Sequence, residues 1–264
     1  MSDIIAIADH GHVRTIMLNR PDKKNALSGE LAWGIIDAID AAAGDDNVRV
    51  VAITGSGDSF CAGLDLSPGK RYTPLSPQAA QLDEVGWVGN FLLAIRRRCE
   101  KPVVAGVNGV AVGAGLGLAM AADVRIVARS ARLMAGYTRI GASPDAGLTI
   151  TLPQMMGYEA AMRFMLENRT VLGDEAVAVG MAGEVVDDAD LAARLAEYCA
   201  KMAEWSPVTL RLLKRTMARS METPDIDSQL RYEVANIRMA LASEDSIEAR
   251  KAFLEKRKAV FKGR

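Results

Sequence analysis

The sequence predicts an α/β fold, and three observations support this class. Strand patterns rich in Val and Ile alternate with helical patterns, half of the chain is apolar, and glycine-rich turns follow two of the strands. A chain of 264 residues is long enough for one large hydrophobic core or for one and a half domains. We therefore expect a globular α/β protein.

The first strand–helix–strand cycle lies near the N-terminus. Alternating apolar residues predict a strand over Val13 to Leu18, and a more fully buried strand is expected over Val48 to Thr54. Between them Ser28 is expected to cap a helix, and Gly44 to end it. The apolar face predicted for this helix consists of Leu31, Ile35, Ala38, Ile39 and Ala42.

The second cycle is followed by a purely helical region. It consists of a strand over Pro102 to Val107, a helix over Gly113 to Ala121 and a strand over Val124 to Ala128, with a further helix over Leu152 to Glu167. After about residue 196 the strand pattern disappears, and charged helical sequence continues to the end.

Composition argues against several classes of function. A net charge of −1 gives no positive field for a nucleic acid. The three widely spaced cysteines are typical of reduced thiols in the cytoplasm. Asp3 stands where a signal peptide would carry basic residues, and no apolar segment with a cleavage site follows, so we do not expect export. The apolar stretch Pro102 to Ala122 has the length of a membrane span, but repeated glycines interrupt it. We expect a cytoplasmic protein that binds neither nucleic acid nor membrane.

Two small-residue turns are the most informative motifs. Ser59 to Leu66 and Asn108 to Gly117 each follow a strand, and each can leave backbone N–H groups free to bind an oxyanion. A single turn of this kind more often serves strand–helix packing. The matched pair instead indicates chemistry on a carbonyl group.

Common nucleotide and hydrolase motifs do not fit. Gly113-x-Gly115-x-Gly117 places Leu118 where a dinucleotide fingerprint needs its third glycine, and no GxxxxGK[ST] loop occurs. A serine hydrolase needs a histidine near its nucleophile, but the only histidines are His10 and His12, at the start of the chain.

Four segments together resemble the crotonase (enoyl-CoA hydratase/isomerase) superfamily. They are Leu18-Asn19-Arg20-Pro21 with Lys24-Asn25-Ala26-Leu27, Phe60 to Leu66, Asn108 to Gly117, and Gly141 to Gly147. The resemblance implies a spiral of ββα turns with a CoA thioester site in residues 1–196. It also implies a helical trimerisation region in residues 197–264, and hence a homotrimer or a dimer of trimers.

The resemblance also implies roles for individual residues. The backbone N–H groups of Leu64 and Ala114 match the family's two oxyanion donors. Asp65 is expected to hold its turn by hydrogen bonds to nearby backbone N–H groups. The residues expected to surround CoA are Lys24, Ala26, Ala62, Asp65 and Leu66, together with Phe253 and Lys256 of a neighbouring subunit.

The catalytic acids depart from the pattern of the hydratases. Gly117 and Tyr137 stand where hydratases carry two Glu residues, so we expect both in the substrate pocket. Asp145 instead matches the single functional Asp of the dienoyl-CoA isomerase, 1,2-epoxyphenylacetyl-CoA isomerase and 4-chlorobenzoyl-CoA dehalogenase branches. The alternative is that Asp145 only makes an ordinary turn. The apolar stretch after it predicts a partly desolvated carboxylate, which suits a base.

These implications favour an isomerase that shifts a double bond in an enoyl-CoA. Asp145 would move the proton while Leu64 and Ala114 stabilise an enolate, with no metal or redox cofactor and with CoA as part of the substrate. Three alternatives remain open: a hydratase, a dehalogenase or thioesterase with Asp145 as nucleophile, and a non-catalytic acyl-CoA binder. The dehalogenase's Trp and His partners fall on Tyr137 and Asn90, which we also place in the pocket.

The acyl group is not specified by the sequence. Its pocket walls are expected within residues 74–91 and around Met155, Met156 and Met162, and methionines adapt to many shapes. The stretch from Ser67 to Ser76, with Pro68, Gly69 and Pro74, is a candidate lid or pocket wall.

Overall fold

A computed structural model describes residues 4–67 and 72–264 of the chain. The strands are β1 (Ile5–His10), β2 (Val13–Leu18), β3 (Val50–Gly55), β4 (Ser59–Cys61), β5 (Val103–Val107), β6 (Val110–Val112), β7 (Val124–Ala128), β8 (Arg132–Met134), β9 (Thr170–Leu172) and β10 (Glu184–Val186). The helices are α1 (Gly29–Gly44), α2 (Pro77–Leu82), α3 (Gly86–Leu93), α4 (Ala114–Ala121), α5 (Tyr137–Ile140), α6 (Leu148–Met156), α7 (Tyr158–Leu166), α8 (Gly173–Ala178), α9 (Leu191–Ala203), α10 (Pro207–Ser220), α11 (Ile226–Leu241) and α12 (Glu244–Leu254). Their alternation confirms the predicted α/β class.

The larger sheet has six strands in the order β1-β2-β3-β5-β7-β10. β1 pairs with β2 antiparallel, and the other neighbours pair in parallel. The strands β3 and β5 are almost continuously apolar because α9 and β4 both pack against them. The predicted bounds of β2 and β7 are confirmed.

The smaller sheet determines where the two small-residue turns lie. Its strand order is β4-β6-β8-β9, and β4, β6 and β8 run parallel to one another. Carboxyl ends of parallel strands meet at one edge of a sheet. The turns that follow β4, β6 and β8 therefore lie side by side.

The helix α1 forms as the sequence predicts. The Ser28 hydroxyl accepts a hydrogen bond from the Leu31 N–H at 3.2 Å, which satisfies one of the free donors at the start of the helix. The apolar face predicted for it is buried, and the helix ends at Gly44.

The single helix predicted over Leu152 to Glu167 is wrong. The structure has two helices, α6 and α7, that meet at Gly157. The φ of Gly157 is 82° and its ψ is 159°, which is far from a helical conformation and is open to glycine.

The regular elements after residue 190 are all helices, as the loss of the strand pattern predicts. The helix α9 packs on the larger sheet, and a Cβ placed on Gly106 of β5 would lie 2.6 Å from the Leu195 Cδ2. Because α9 spans Leu191–Ala203, residue 196 lies inside a helix of the core. The division of the chain at residue 196 stays a prediction.

The predicted lid between Ser67 and Ser76 is described in part. Pro68 and Gly69 lie outside the described residues, and Ser76 caps α2 by accepting a hydrogen bond from the Ala79 N–H at 3.2 Å.

Within the described ranges, no helix has both the length and the apolar character needed to cross a membrane.

Candidate functional site

The turn after β4 is fixed by a short parallel bridge between Leu27 and Leu64. The Leu27 N–H donates to the Gly63 O at 2.7 Å, and the Asp65 N–H donates to the Leu27 O at 3.0 Å. Successive peptide groups of an extended segment point to opposite sides, so the Leu64 N–H points away from Leu27. No residue in the described ranges accepts a hydrogen bond from this N–H.

The turn after β6 leads into α4. Ala114 is the first residue of that helix, so its N–H has no partner within the helix. Gly113 before it has a φ of 54° and a ψ of −122°, a conformation open to glycine. Within residues 4–67 and 72–264, the Ala114 N–H also has no acceptor from another element. The positive end of the helix dipole adds to its affinity for an anion.

The two turns are in contact with each other. A Cβ placed on Gly63 would lie 2.6 Å from the Val112 O and 4.0 Å from the Ala114 N. A Cβ placed on Gly115 would overlap the Cys61 O. Glycine is needed at both positions for such a close approach. The structure thus places Leu64 and Ala114 on turns that touch each other, and their role as oxyanion donors stays a prediction.

Asp145 lies next to the same helix. A Cβ placed on Gly117 would overlap the Cβ of Ala146 and lie 2.8 Å from the Ala146 O. Gly117 is three residues, or about 4.5 Å along the helix axis, beyond Ala114. The segment that carries Asp145 is therefore packed about one helical turn from Ala114.

Tyr137 holds the Asp145 carboxylate. Its Oη donates to the Asp145 Oδ1 at 2.7 Å, and Tyr137 itself is only 7% exposed. Burial, and after it the bond to Asp145, raises the pKa of the Tyr137 hydroxyl above its ordinary value. The hydroxyl therefore keeps its proton and acts as a donor.

The desolvation predicted for Asp145 is wrong, because this residue is exposed in the chain. The apolar residues that follow it turn into α6, where Leu148 and Leu152 are buried against other elements and do not cover the carboxylate. The second carboxylate oxygen, Oδ2, accepts no hydrogen bond from the described residues. Asp145 thus has one oxygen held by Tyr137 and one oxygen available.

Asp65 holds its turn, as predicted. Its Oδ1 accepts a hydrogen bond from the Ser67 N–H at 3.0 Å, and its Oδ2 accepts one from the Arg20 Nη2 at 2.9 Å. Hydrogen bonds from Ser67, and after them the bond from Arg20, lower the pKa of Asp65 to about 2. Its part in CoA binding stays a prediction.

The other residues predicted near CoA on this side lie close to this turn. The Ala62 N–H donates to the Lys24 O at 2.9 Å, and the Ala26 O accepts a hydrogen bond from the Arg20 Nη1. Leu66 lies beyond Asp65 and is 70% exposed. The structure thus brings together Lys24, Ala26, Ala62, Asp65 and Leu66.

Two residues without a role predicted from the sequence, Arg20 and Asn25, tie the segment before Leu27 to β4 and to the turn after it. The fully buried Asn25 donates through Nδ2 to the Ser56 O at 2.9 Å and to the Ser59 O at 2.7 Å, and its Oδ1 accepts from the Arg20 N–H. Arg20 and Asn25 stand in the first segment that resembles the crotonase superfamily, which was the available signal. Their roles depend on contacts between segments far apart in the sequence.

The structure turns Asn90 away from this site, contrary to the prediction. Its Nδ2 donates to the Gly86 O at 2.9 Å, and its Oδ1 accepts from the Arg98 Nη1 at 3.2 Å. The segment after Asp145 instead faces Leu92, whose Cδ2 would lie 2.7 Å from a Cβ placed on Gly147. Residues two apart on a helix differ by about 200° in direction, so Asn90 lies on the opposite face of α3.

Phe253 and Lys256 lie far from the turns of their own chain. Phe253 is 82% exposed and lines a cavity of about 370 Å³ together with Trp205 and Phe261. The Phe261 O accepts a hydrogen bond at 2.8 Å from Arg49, the residue that precedes β3. This tail is therefore anchored at the amino end of a strand, whereas the two turns follow carboxyl ends.

The chain is similar to known proteins over nearly its whole length. A family model described as enoyl-CoA hydratase/isomerase matches residues 9–264. The chain is 34% identical to the 1,2-epoxyphenylacetyl-CoA isomerase of Escherichia coli strain K12 over 264 residues, which cover 100% of both chains. It is 31% identical to the short-chain-enoyl-CoA hydratase of Clostridium acetobutylicum, covering 96% of this chain and 95% of the relative.

A crystal structure of an enoyl-CoA hydratase from Bacillus anthracis has the same fold. It is 29% identical, matches with a TM-score of 0.88, and the match covers 99% of this chain and 100% of that one. These matches confirm the family and the fold that the four sequence segments predict.

Proposed function

This chain belongs to the enoyl-CoA hydratase/isomerase family, and from that membership we propose that it shifts a carbon–carbon double bond in an enoyl-CoA thioester. One observation carries the proposal. The Leu64 and Ala114 N–H groups meet at touching turns, and the segment of Asp145 packs on the next turn of α4. Two donors and one carboxylate are sufficient for a proton shift beside a thioester.

The proposed reaction moves one proton in two steps. Asp145 removes a C2 proton from a 3-enoyl-CoA, and the electron pair of the C–H bond enters the conjugated system to give a dienolate. The Leu64 and Ala114 N–H groups bind the negative thioester oxygen. Asp145 then returns the proton to C4, which yields the 2-enoyl-CoA. Losing one such donor typically costs about 3–4 kcal/mol of transition-state stabilisation.

Position 117 favours isomerisation over hydration. Hydratases of the family are expected to hold a water with two Glu residues, and at Gly117 the Ala146 backbone and Cβ leave no room for a side chain. At position 137 a buried phenol with a raised pKa cannot serve as a base at neutral pH. Its contact with Asp145 instead supports a positioning role.

Hydration remains the second candidate, and a specific observation favours it. Asp145 is exposed, so water can reach the carboxylate. The relative from Clostridium acetobutylicum is named a short-chain-enoyl-CoA hydratase. A single acid would then direct water onto a 2-enoyl-CoA.

The CoA part of the substrate is proposed to bind beside the first turn. Lys24, Ala26, Ala62, Asp65 and Leu66 support this because they lie together there and offer backbone groups. We propose that CoA enters as part of the substrate and that no metal or redox cofactor takes part. The proposed steps need only a base and two N–H donors.

A homotrimer or a dimer of trimers is proposed as the working assembly. Apolar side chains about half exposed recur on one face of α11, at Leu230, Val234, Ile237 and Leu241. Such a face is typical of an interface. Phe253 and Lys256 would then reach the CoA of a neighbouring subunit. Light scattering in solution tests the assembly.

A cytoplasmic location is also proposed, supported by three buried cysteine thiols.

A turnover panel tests the proposed reaction. Wild type is assayed with 3-enoyl, 2-enoyl, dienoyl and aryl CoA thioesters, beside Asp145→Asn and the control Asp37→Asn, which changes an exposed Asp on α1. Isomerisation of the 3-enoyl thioester that is lost only in Asp145→Asn supports the proposal. Water addition without isomerisation makes the protein a hydratase. Halide release, thioester hydrolysis, or binding without turnover would each replace the isomerase assignment.

A further inference from the structure

The guanidinium of Arg20 joins the two segments that hold Leu64. Its Nη1 donates to the Ala26 O at 2.6 Å, and its Nη2 donates to the Asp65 Oδ2 at 2.9 Å. Ala26 precedes Leu27, and Asp65 follows Leu64. Arg20 therefore connects both segments of the Leu27–Leu64 bridge from one planar group.

Arg20 is itself fixed to the core. Its N–H donates to the Asn25 Oδ1 at 2.8 Å, and the Asn25 amide, which is fully buried, donates to the Ser59 O on β4. The Arg20 side chain is 19% exposed. The guanidinium therefore holds the turn after β4 at a fixed place relative to β4 itself.

Little else holds Leu64 in place. Leu64 is 52% exposed, so core packing does not orient it. The bridge to Leu27 supplies two backbone hydrogen bonds, and Asp65 adds a bond to the Ser67 N–H. The direction of the Leu64 N–H therefore depends on the bonds that flank it, and Arg20 makes the only ion pair in the described part of this turn.

We infer that Arg20 is a positioning residue that sets the oxyanion donor of Leu64. This inference rests on the proposed function, because it assumes that the Leu64 N–H binds a thioester oxygen. A misplaced donor loses stabilisation of the developing charge much more than it loses binding of the uncharged substrate. Arg20 should therefore act on kcat and leave KM nearly unchanged.

Arg20→Lys is the sharpest variant. It keeps the positive charge, but an ammonium is a point charge and cannot reproduce a planar fork that spans two acceptors on separate segments. Asp65→Asn is the second variant. It keeps the size of the side chain but has one acceptor oxygen where Asp65 uses two, so it loses the bond from Arg20 while the oxygen stays with the Ser67 N–H. Arg14→Lys is the matched control, because Arg14 on β2 also joins two segments. Its guanidinium donates to Asp9 on β1 and to Asp45, which follows α1.

The experiment measures how strongly the N–H donors polarise a bound thioester carbonyl, and it needs no turnover. Butyryl-CoA carrying ¹³C at the thioester carbonyl has no double bond to move, and its carbonyl stretch falls when N–H groups polarise it. We expect a clear downshift on wild type and Arg14→Lys. In Arg20→Lys about half of that shift should be lost, because one of two donors is misplaced. With the isomerase substrate, kcat should fall about tenfold or more, with KM within about threefold.

The outcomes separate this inference from the proposed function. No downshift on wild type would remove the donor site and the proposed function with it. A full downshift on both wild type and Arg20→Lys would overturn the role of Arg20 alone. A raised KM with unchanged kcat and downshift would make Arg20 a CoA-binding or purely structural residue. If Arg20→Lys does not fold, as judged by circular dichroism, Asp65→Asn decides: an unchanged downshift and kcat in that variant overturn the inference.

Discussion

The Tyr137 hydroxyl donates a hydrogen bond of 2.7 Å to the Asp145 carboxylate, eight residues further along the chain. Tyr137 is buried and opens α5, whereas Asp145 lies in the exposed turn before α6. The rigid partner therefore orients the exposed one. This bond leaves Oδ2 of Asp145 as the oxygen that can face a substrate.

Tyr137→Phe should lower isomerase kcat about tenfold, because the carboxylate loses the bond that orients it while the aromatic ring keeps its packing. KM should change little, since Tyr137 is not expected to bind CoA. The measurement is steady-state turnover of a 3-enoyl-CoA. Tyr158→Phe is the control, because Tyr158 is 73% exposed on α7. Equal kcat in wild type and Tyr137→Phe would exclude the positioning role.

Gly63→Ala should reduce kcat about a hundredfold, because its Cβ would lie 2.6 Å from the Val112 O and push the two donor turns apart. Gly11→Ala is a matched control. Gly11 has a φ of 58°, close to the positive φ of 86° at Gly63, but nothing lies within 4 Å of its Cβ position. Both variants should lose about 1 kcal/mol of stability from backbone strain. An active Gly63→Ala enzyme would refute the convergence of the two turns.

Gly117→Glu should not create a hydratase, although it restores a carboxylate at a position where hydratases carry one. The new side chain would overlap Ala146 and displace the segment of Asp145. We expect a loss of about 2 kcal/mol or more in the free energy of unfolding, measured in urea, and a loss of isomerase activity. Crotonyl-CoA absorbance would detect hydration. A stable variant that hydrates crotonyl-CoA would contradict this account.

Asp65 should give the fold a pH dependence in acid. Its folded pKa of about 2 lies below its ordinary value of 3.8, so ionised Asp65 stabilises the native state above about pH 4 and loses this effect as the pH falls toward 2. At neutral pH, Asp65→Asn should be less stable by about 1 kcal/mol after allowance for solvent screening. Urea unfolding of both proteins across this range should show the difference shrinking in acid. A constant difference would contradict the pKa shift as the cause.

Strong periodicity made part of the fold predictable. The strands β2 and β7 and the helix α1 have the predicted positions, because alternation and capping residues mark their ends. The strands of the smaller sheet have three residues each, too few to show any period. The break at Gly157 was missed because a glycine within a helical pattern is compatible with both a continuous and a broken helix.

The site was predictable where backbone conformation determines it. The glycines around Leu64 and Ala114 signal close approach, and the structure has that approach. Asn90 was misplaced because the sequence does not specify which face of α3 meets Gly147. The bonds of Arg20 and Tyr137 were also beyond prediction, because each depends on the tertiary placement of a turn.

The central claim is that one carboxylate carries a proton from C2 to C4 of an enoyl-CoA beside two N–H donors. Label transfer tests it most directly, with a 3-enoyl-CoA deuterated at C2 and mass spectrometry of the product. Wild type should deliver part of the deuterium to C4, and Asp145→Asn should isomerise about a thousandfold more slowly, with Asp37→Asn unchanged. Transfer by Asp145→Asn at nearly the wild-type rate would contradict the account.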